Sequence, residues 1–290
     1  MRITTKARPC GRRDMAFRLD EIGYWSEIKL DIVRKYAAAY STILSKQEWV
    51  RGYYYIDAFA GPGMHISKRT SDFVPGSPLN ALNVEPPFTG YHFIDLNCEK
   101  VDLLRELTAD REDVKVHEGD CNGILLQDVF PGVRRQACER ALCLLDPYGL
   151  HLDWEVVYTA GQSRAIEVFL NFQVFDMNRN VLWHDSDRVA PAQIARMNAF
   201  WGDESWREAA YSQENGLFGP MPERTSNDAI AQAYREKLKT DAGFQYVPDP
   251  MPMRNSRGAI VYYLFFASPN KTGAKIVQDI FETYENRGAE

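Results

Sequence analysis

The chain has 290 residues, 45% of them hydrophobic, and a formal net charge of −6. This is enough apolar material to bury the core of one domain with an appended subdomain. No apolar run reaches the roughly 18–20 residues of a transmembrane helix, and the charged N-terminus has no apolar signal region, so we expect a cytoplasmic protein without membrane association. An acidic chain does not indicate broad electrostatic binding of nucleic acid, although a local basic groove would suffice for it.

The cysteines and histidines give no sign of a metal centre. The five cysteines have no Cys-x-x-Cys spacing, and the five histidines are scattered along the chain. We therefore predict reduced thiols and no metal site.

Residues 1–20 form a predicted basic N-terminal tail. The first 13 residues hold five arginines or lysines and no acid. Such a tail can contact phosphate, but it is more often simply solvated. From Trp25 to Leu44, apolar residues recur every three or four positions, which predicts an amphipathic helix that packs on a sheet.

The stretch YYYIDAFAGPG, residues 53–63, predicts a buried strand that ends at Asp57 and opens into a glycine turn. Gly61 and Gly63 lack a Cβ, so backbone and ligand can approach each other closely there. In open α/β sheets, ligands bind beyond the carboxyl ends of the strands. Asp57, Phe59, Gly61 and Gly63 are therefore candidate cofactor-binding residues, although an ordinary glycine turn would give the same pattern.

Three later apolar runs also lead into a carboxylate. YHFIDLN ends at Asp95, VKVHEGDCN ends near Asp120, and ALCLLDPYGL ends at Asp146. The segments between them have helical spacing, so strands and helices alternate, which is typical of an α/β fold. The acids would then line one edge of a parallel sheet.

The remaining segments complete a predicted core over residues 21–175 and two further units. Residues 64–76 form a candidate substrate loop, on which we expect His65 to be exposed to solvent. AIEVFLNF, residues 165–172, is a fifth strand. Residues 176–243 have helical character and predict an insertion that covers the site. Residues 244–290 would complete the sheet with an antiparallel pair, 244–249 and 259–268, followed by a C-terminal helix.

The acids and the glycine turn fit S-adenosyl-L-methionine better than a dinucleotide. Met64, His65 and Ile66 follow Gly63, so the third glycine of a Gly-x-Gly-x-x-Gly dinucleotide motif is absent. S-adenosyl-L-methionine would place ribose hydroxyls at Asp95 and the adenine amine at Asp120. Taken singly, either acid would equally serve as a helix cap.

The chain also resembles a known family over nearly its whole length. The resemblance is carried by GYWSEIKLDIVRKYAAAY, DAFAGPG, GSPLNAL, FIDLN, LLDPYGL, NFQVFDMNRN and YYLFFASPNKTGAKIV. These segments resemble the three-Cys-motif partner (TcmP) family of bacterial proteins, which are similar to class I S-adenosylmethionine-dependent methyltransferases. The resemblance implies a Rossmann-like sheet, mostly parallel with an antiparallel edge hairpin. It also implies a partner protein with a three-cysteine motif, similar to radical-S-adenosylmethionine proteins.

Asp146-Pro147-Tyr148 resembles the Asp/Asn-Pro-Pro-Tyr motif of amino-methyltransferases, with one proline fewer. In that motif the acid or amide and a proline carbonyl hold an exocyclic amine, and the aromatic ring stacks on an extruded base. The resemblance therefore implies a catalytic triplet and nucleic acid as a candidate substrate, while a small molecule or a protein stays open as the acceptor. Tyr148 alternatively packs at the rim as a structural aromatic residue.

Three residues near the end of the fifth strand are candidate substrate-binding residues, namely Asn171, Phe172 and Arg179. Asn171 alternatively caps the next helix. Two hypotheses other than a methyltransferase stay open for the function of this chain. It could be a cofactor-binding module that escorts a partner protein without turnover, or a Rossmann-type enzyme that uses another nucleotide. A cytosine-carbon mechanism is disfavoured, because Cys143 lies mid-strand and is expected to be a buried thiol.

Overall fold

The computed structural model describes residues 20–183, 188–216, 219–255 and 257–285, without the side chains of 213–222. Apart from Asp20, the predicted basic tail lies outside these residues. The strands are β1 (Glu21–Ile22), β2 (Gly52–Asp57), β3 (Met64–Ser67), β4 (Phe73–Pro75), β5 (Gly90–Asp95), β6 (Val114–Glu118), β7 (Glu139–Leu145), β8 (Ile166–Phe172), β9 (Tyr211–Gly216), β10 (Gly219–Arg224), β11 (Met251–Arg254) and β12 (Ile260–Ala267).

Ten α-helices lie in the described part of the chain. They are α1 (Tyr24–Leu44), α2 (Ser77–Leu82), α3 (Cys98–Leu107), α4 (Cys121–Ile124), α5 (Trp154–Ser163), α6 (Val174–Asn180), α7 (Pro191–Trp201), α8 (Trp206–Ala210), α9 (Asn227–Thr240) and α10 (Lys271–Glu285). Among the described residues, we find no helix with the length and apolar character needed to cross a membrane.

Seven strands form the central sheet, in the order β11-β12-β8-β7-β2-β5-β6. The pairs from β8 to β6 are parallel, whereas β12 runs antiparallel to both β8 and β11. The sheet is therefore mostly parallel with an antiparallel hairpin at one edge, as the sequence predicted. The strand order reverses between β2 and β7, so a ligand crevice is expected beyond their carboxyl ends.

The sheet separates two apolar layers. Alternate residues of one strand point to opposite faces, so Ile56 joins one layer and Tyr55 the other. The predicted helix near the N-terminus is confirmed as α1, which buries Ile32, Val33 and Tyr36 on the second face. This burial of both faces explains why the strands read as continuous apolar runs.

Three predicted segments differ in the structure. Residues 64–76 are not a simple loop, because β3 pairs antiparallel with β4 and parallel with β1. The described part of residues 176–243 contains four helices or parts of them, but the hairpin β9–β10 interrupts them, so the block is not wholly helical.

The antiparallel partner of β12 is β11, not residues 244–249. Tyr246 makes only an isolated bridge to Ser268. Pro248 and Pro250 lack backbone N–H donors, so that segment cannot continue a ladder. β11 tolerates Pro252 because it lies at the edge of the sheet.

Candidate functional site

The turn after β2 brings the backbone to the end of the neighbouring strand. Asp57 ends β2 and is fully buried, and its Oδ1 accepts the backbone N–H of Phe59 at 3.3 Å. Gly61 has a φ of +66° and donates its N–H to Oδ2 of Asp95 at 2.9 Å. A Cβ built on Gly61 would have one atom within 4 Å, His65 Cε1 at 3.9 Å, so this position faces open space.

Gly63 has a different environment from Gly61. Its φ is +85°, and a Cβ there would lie 3.3 Å from Leu104 Cδ2 and 3.4 Å from Leu107 Cδ1. Gly63 lines neither of the two cavities described below. Its freedom of backbone conformation and its packing explain the glycine, and Gly63 differs in this from Phe59, Gly61, Asp95 and Asp120, which line the cavities.

The first cavity, which we call the Asp120 cavity, has a volume of about 510 Å³ and lies beyond β5 and β6. Asp95, Asp120 and the side chain of Leu96 line it, and Leu96 is 76% exposed there. Arg196 and Ala199 of α7 complete the wall, so the block after β8 reaches the site. The cavity combines apolar walls with three carboxylates, those of Asp95, Asp120 and Asp153, which suits a flat ligand with several polar hydrogens.

The second cavity, the Lys29 cavity, has a volume of about 560 Å³ and lies at the point where the strand order reverses. Its lining includes Lys29, Gly61, His65, Asp146 and Asn171. Both cavities are also lined by Phe59 and Tyr148. The two cavities therefore meet at these two aromatic residues, and together they form one crevice along the carboxyl edge of the sheet.

Asp146 lies between a lysine and an amide. Lys29 Nζ forms an ion pair with Oδ2 of Asp146, and Nδ2 of Asn171 donates to its Oδ1. Burial works to lower the pKa of Lys29, but the attraction of Asp146 and Tyr262 outweighs it, so this pKa is raised. The ammonium is therefore retained although its side chain is 9% exposed.

Lys29 was missed in the sequence because α1 was interpreted as a packing helix. The available signal was its position, four residues before Val33 and seven before Tyr36, both of which are buried. A lysine on the buried face of an amphipathic helix requires a partner, since an unpaired buried charge is costly.

The carboxyl group of Asp57 belongs to the same electrostatic cluster without lining either cavity. Burial raises its pKa to about 7, with nearby Asp146 acting in the same direction. The hydrogen bond with Ser77, the N–H of Phe59 and the ammonium of Lys29 act in the opposite direction. Asp57 therefore supports the turn through its bond with Phe59.

Tyr148 stands at the rim and is 63% exposed. Lys100 donates to its hydroxyl at 3.3 Å and to Asp20 Oδ2 at 2.8 Å, so it joins the start of the described chain to the rim. Burial works to lower the pKa of Lys100, but the bonds to Asp20 and Tyr148 raise it overall. Lys100 was not predicted, because it looked like an ordinary solvated residue of α3.

Two buried polar atoms at this site have no hydrogen-bond partner within the described residues. They are Nδ1 of His65 and Oδ1 of Asn171, and both residues line the Lys29 cavity. His65 is half-buried and lines the Lys29 cavity, so the expectation that it is solvent-exposed is wrong. Buried polar groups normally find a partner, so these atoms indicate a polar ligand.

Two predicted substrate-binding residues lie outside both cavities. Phe172 is fully buried and packs against Tyr234 and Phe265, with ring centroids 4.7 and 5.4 Å away. The alternation of a strand explains this correction, because Asn171 and Phe172 must face opposite sides of β8. Arg179 is exposed on α6 and lines neither cavity.

The thiols near the site are not arranged for nucleophilic chemistry. Cys143 is fully buried, and burial raises its pKa well above the ordinary value. Burial likewise raises the pKa of Cys121 to about 12. Because the thiolate is the reactive form, neither residue is suited to attack a substrate.

Comparisons with known proteins add information about the fold. No family model and no curated protein sequence matches the chain. The protein LPL1258 from Legionella pneumophila, of the family DUF519, matches over 90% of this chain and 91% of its own, with a TM-score of 0.55 and 12% identity. At this identity the likeness shows a shared fold alone.

Two other similar structures are methyltransferases. The DszA carbon methyltransferase covers 82% of this chain and 53% of its own, with a TM-score of 0.43 and 13% identity. The CurJ carbon methyltransferase covers 80% and 53%, with a TM-score of 0.39 and 11% identity. Scores this low do not establish a shared fold.

Proposed function

We propose that this protein is an S-adenosylmethionine-dependent methyltransferase that acts on the exocyclic amine of a nucleic-acid base. The observation that carries the proposal is the crevice at the carboxyl edge of the sheet. One half contains Asp95 and Asp120, the other contains Asp146 and Asn171, and Phe59 and Tyr148 belong to both. Such a crevice suits a nucleoside with a reactive group at one end and an acceptor beside it.

The residues of the Asp120 cavity fit the nucleoside part of the cofactor. Asp95 accepts the N–H groups of Gly61 and Asn97, and each carboxylate oxygen keeps a second lone pair for a ribose hydroxyl. Asp120 would accept the adenine amine, and the exposed Leu96 would cover one face of the base. In these assignments the carboxylates accept hydrogen bonds from the hydroxyl and amine groups of the ligand, and the apolar side chain of Leu96 packs on its aromatic ring.

The turn at Gly61 fits the amino-acid part of the cofactor. An ammonium group would find the partnerless Nδ1 of His65 there, and burial lowers the pKa of His65, which keeps its ring neutral. When bound, S-adenosylmethionine would supply an electrophilic methyl group: the electron pair of the acceptor nitrogen forms the new N–C bond, the S–C bond breaks to leave S-adenosylhomocysteine, and the methylated nitrogen then releases one proton to solvent. The chain's own contribution is then to hold the acceptor and exclude water.

The rim supports a planar acceptor. Tyr148 follows Pro147 directly after β7 and exposes its ring where the two cavities meet. An exposed aromatic ring is a stacking surface for a base that has left its duplex or belongs to a single strand. The buried, protonated thiols leave an amine as the preferred acceptor over a ring carbon that needs a thiolate.

Calorimetric titration with S-adenosylmethionine and S-adenosylhomocysteine tests the cofactor. We expect binding in the micromolar range, about −8 kcal/mol. The absence of both heat and a thermal shift would contradict the proposal. Transfer of a tritiated methyl group to single-stranded DNA or RNA then tests the reaction, and binding without transfer to either would leave a cofactor-binding module without turnover as the better description.

A further inference from the structure

Each carboxylate oxygen of Asp146 already accepts one hydrogen bond within the protein and, as in Asp95, keeps a second lone pair, whereas Oδ1 of Asn171 has no partner within the described residues. Lys29 pairs with Oδ2 of Asp146, and Nδ2 of Asn171 donates to Oδ1 of Asp146. The carbonyl oxygen of Pro147 accepts Nε2 of Gln173 at 3.1 Å. The two acceptor groups that the resemblance assigns to an incoming amine are therefore already hydrogen-bonded within the protein.

The orientation of the Asn171 amide follows from this arrangement. An ionised carboxylate only accepts hydrogen bonds, so the NH₂ group of Asn171 must face Asp146. The carbonyl Oδ1 is then turned away from Asp146. This atom is buried and has no partner within the described residues, and Asn171 lines the Lys29 cavity. A buried carbonyl without a partner is an acceptor available to a ligand.

We propose that Oδ1 of Asn171, rather than Asp146, accepts the N–H of the methyl-accepting amine. Asp146 and Lys29 are then positioning residues, because Asp146 fixes the amide and Lys29 compensates the charge of Asp146. This inference rests on the proposed function and names the contact that would select the acceptor.

The same geometry restricts the class of acceptor. A carbonyl in place of an amine would present oxygen to the oxygen of Asn171, with no hydrogen between them. An aliphatic ammonium would have no free electron pair, so it could not accept the methyl group. A neutral aromatic amine, as in adenine or cytosine, avoids both conflicts, whereas thymine carries a carbonyl at the corresponding position.

The test compares single-stranded oligodeoxynucleotides of adenine, cytosine and thymine, titrated into protein saturated with S-adenosylhomocysteine. We expect the wild type to bind adenine or cytosine at least about tenfold more tightly than thymine, as one buried hydrogen bond allows. Asn171→Ala should bind the three oligonucleotides equally and keep its affinity for S-adenosylhomocysteine within about threefold.

An exchange of the two side chains separates the hydrogen-bond pattern from a general effect on structure. We expect Asp146→Asn and Asn171→Asp each to lose the preference for adenine or cytosine over thymine. In Asn171→Asp the reason is that two carboxylates would face each other. The two substitutions combined restore one carboxylate and one amide, with an oxygen again available at position 171, and should recover the preference. Lys29→Met should reduce the preference for adenine or cytosine. Lys29→Gln should reduce this preference less, because glutamine can still donate a hydrogen bond to Asp146.

The outcomes are distinct. If the wild type fails to bind S-adenosylhomocysteine, the proposed function fails and this inference falls with it. If the wild type binds S-adenosylhomocysteine but shows no preference for an amine-bearing base, the assignment of Asn171 is overturned. The assignment is equally overturned if Asn171→Ala keeps the preference, or if the exchanged pair is no better than the single variants while its melting temperature matches that of the wild type.

Discussion

The backbone N–H of Gly61 donates to Oδ2 of Asp95 at 2.9 Å, which ties the turn after β2 to the end of β5. The other oxygen of Asp95 accepts the N–H of Asn97 at 2.8 Å. One carboxylate therefore orders the turn between the two cavities and also lines the Asp120 cavity. Its removal should affect ligand binding both directly and through the turn.

Asp95→Ala is expected to weaken binding of S-adenosylhomocysteine by at least tenfold. Hydrogen bonds to a charged group contribute roughly 1.5–3 kcal/mol each, and two ribose hydroxyls would lose this acceptor. Calorimetry measures the effect. Glu118→Ala is the matched control, because Glu118 is in register with Asp95 on β6 but lines neither cavity. An unchanged affinity in Asp95→Ala would show that this carboxylate does not hold the ligand.

Substitution of the two glycines of the turn, Gly61 and Gly63, should have different effects on ligand affinity and on the stability of the fold. Gly61→Ala and Gly63→Ala each place a side chain at a positive φ, at a cost of roughly 1–2 kcal/mol. At Gly61 the new methyl group would point into open space where the ligand is proposed, whereas at Gly63 it would press on Leu104. We expect Gly61→Ala to lose affinity for S-adenosylhomocysteine and Gly63→Ala to lower the melting temperature further with little loss of affinity. Equal losses of affinity would place both glycines in the ligand cradle.

Much of the fold could be predicted because its signals are local. Each parallel strand is a buried apolar run, and the acids at Asp57, Asp95 and Asp146 mark their carboxyl ends. The β1–β3–β4 sheet could not be predicted, since it joins a strand of two residues to a distant hairpin. The strand that pairs with β12 is β11, whereas the sequence predicted residues 244–249. This choice depends on which prolines the edge of the sheet tolerates, and the apolar pattern of the sequence does not reveal that.

The candidate site was predicted less completely than the sheet. Strand ends identify Asp95, Asp120 and Asp146 because they all lie on one edge. The contact between Lys29 and Asp146 joins residues 117 positions apart, and no local pattern encodes it. Phe172 was misplaced for the opposite reason, because adjacent residues on a strand face opposite sides and only Asn171 faces the cavity.

Tyr148→Ala is expected to reduce methyl transfer at least tenfold in kcat/KM, while affinity for S-adenosylhomocysteine changes by no more than about threefold. Stacking of a base on an aromatic ring contributes about 1–3 kcal/mol. Tyr148→Phe keeps the ring and loses only the bond from Lys100, so it should retain most of the activity. Tyr158→Ala, on α5 and away from both cavities, is the control. A loss of cofactor affinity with normal transfer by the remaining loaded protein would assign Tyr148 to the cofactor pocket instead.

The buried carboxyl groups of Asp57 and Glu167 should make the free energy of unfolding depend on pH. Burial raises the pKa of Glu167 from 4.5 to about 7 and that of Asp57 from 3.8 to about 7, although Glu167 accepts hydrogen bonds from Tyr36 and Ser268. Between the unfolded and folded pKa values the native state binds more protons than the unfolded state. The contribution of the two carboxyl groups to the free energy of unfolding therefore falls as the pH rises from about 4.5 to 7, and it levels off once both groups are ionised in both states. The half-buried histidines His65, His92 and His117 act in the opposite direction, because their lowered pKa values make the unfolded state bind more protons below about pH 6.5.

Glu167→Gln should remove the contribution of Glu167, since the amide keeps the size of the side chain and does not titrate. The contribution of one such group is on the order of 1–3 kcal/mol across the window. Melting temperatures at pH 5 and pH 8 measure it: because the histidines are the same in both proteins, the change in melting temperature from pH 5 to pH 8 should be more positive in Glu167→Gln than in the wild type. Asp57 still titrates in the variant, so adding Asp57→Asn should move this change further in the same direction. The same change in Glu167→Gln as in the wild type would mean that Glu167 is ionised in the folded protein throughout this range, with Tyr36 and Ser268 compensating its burial.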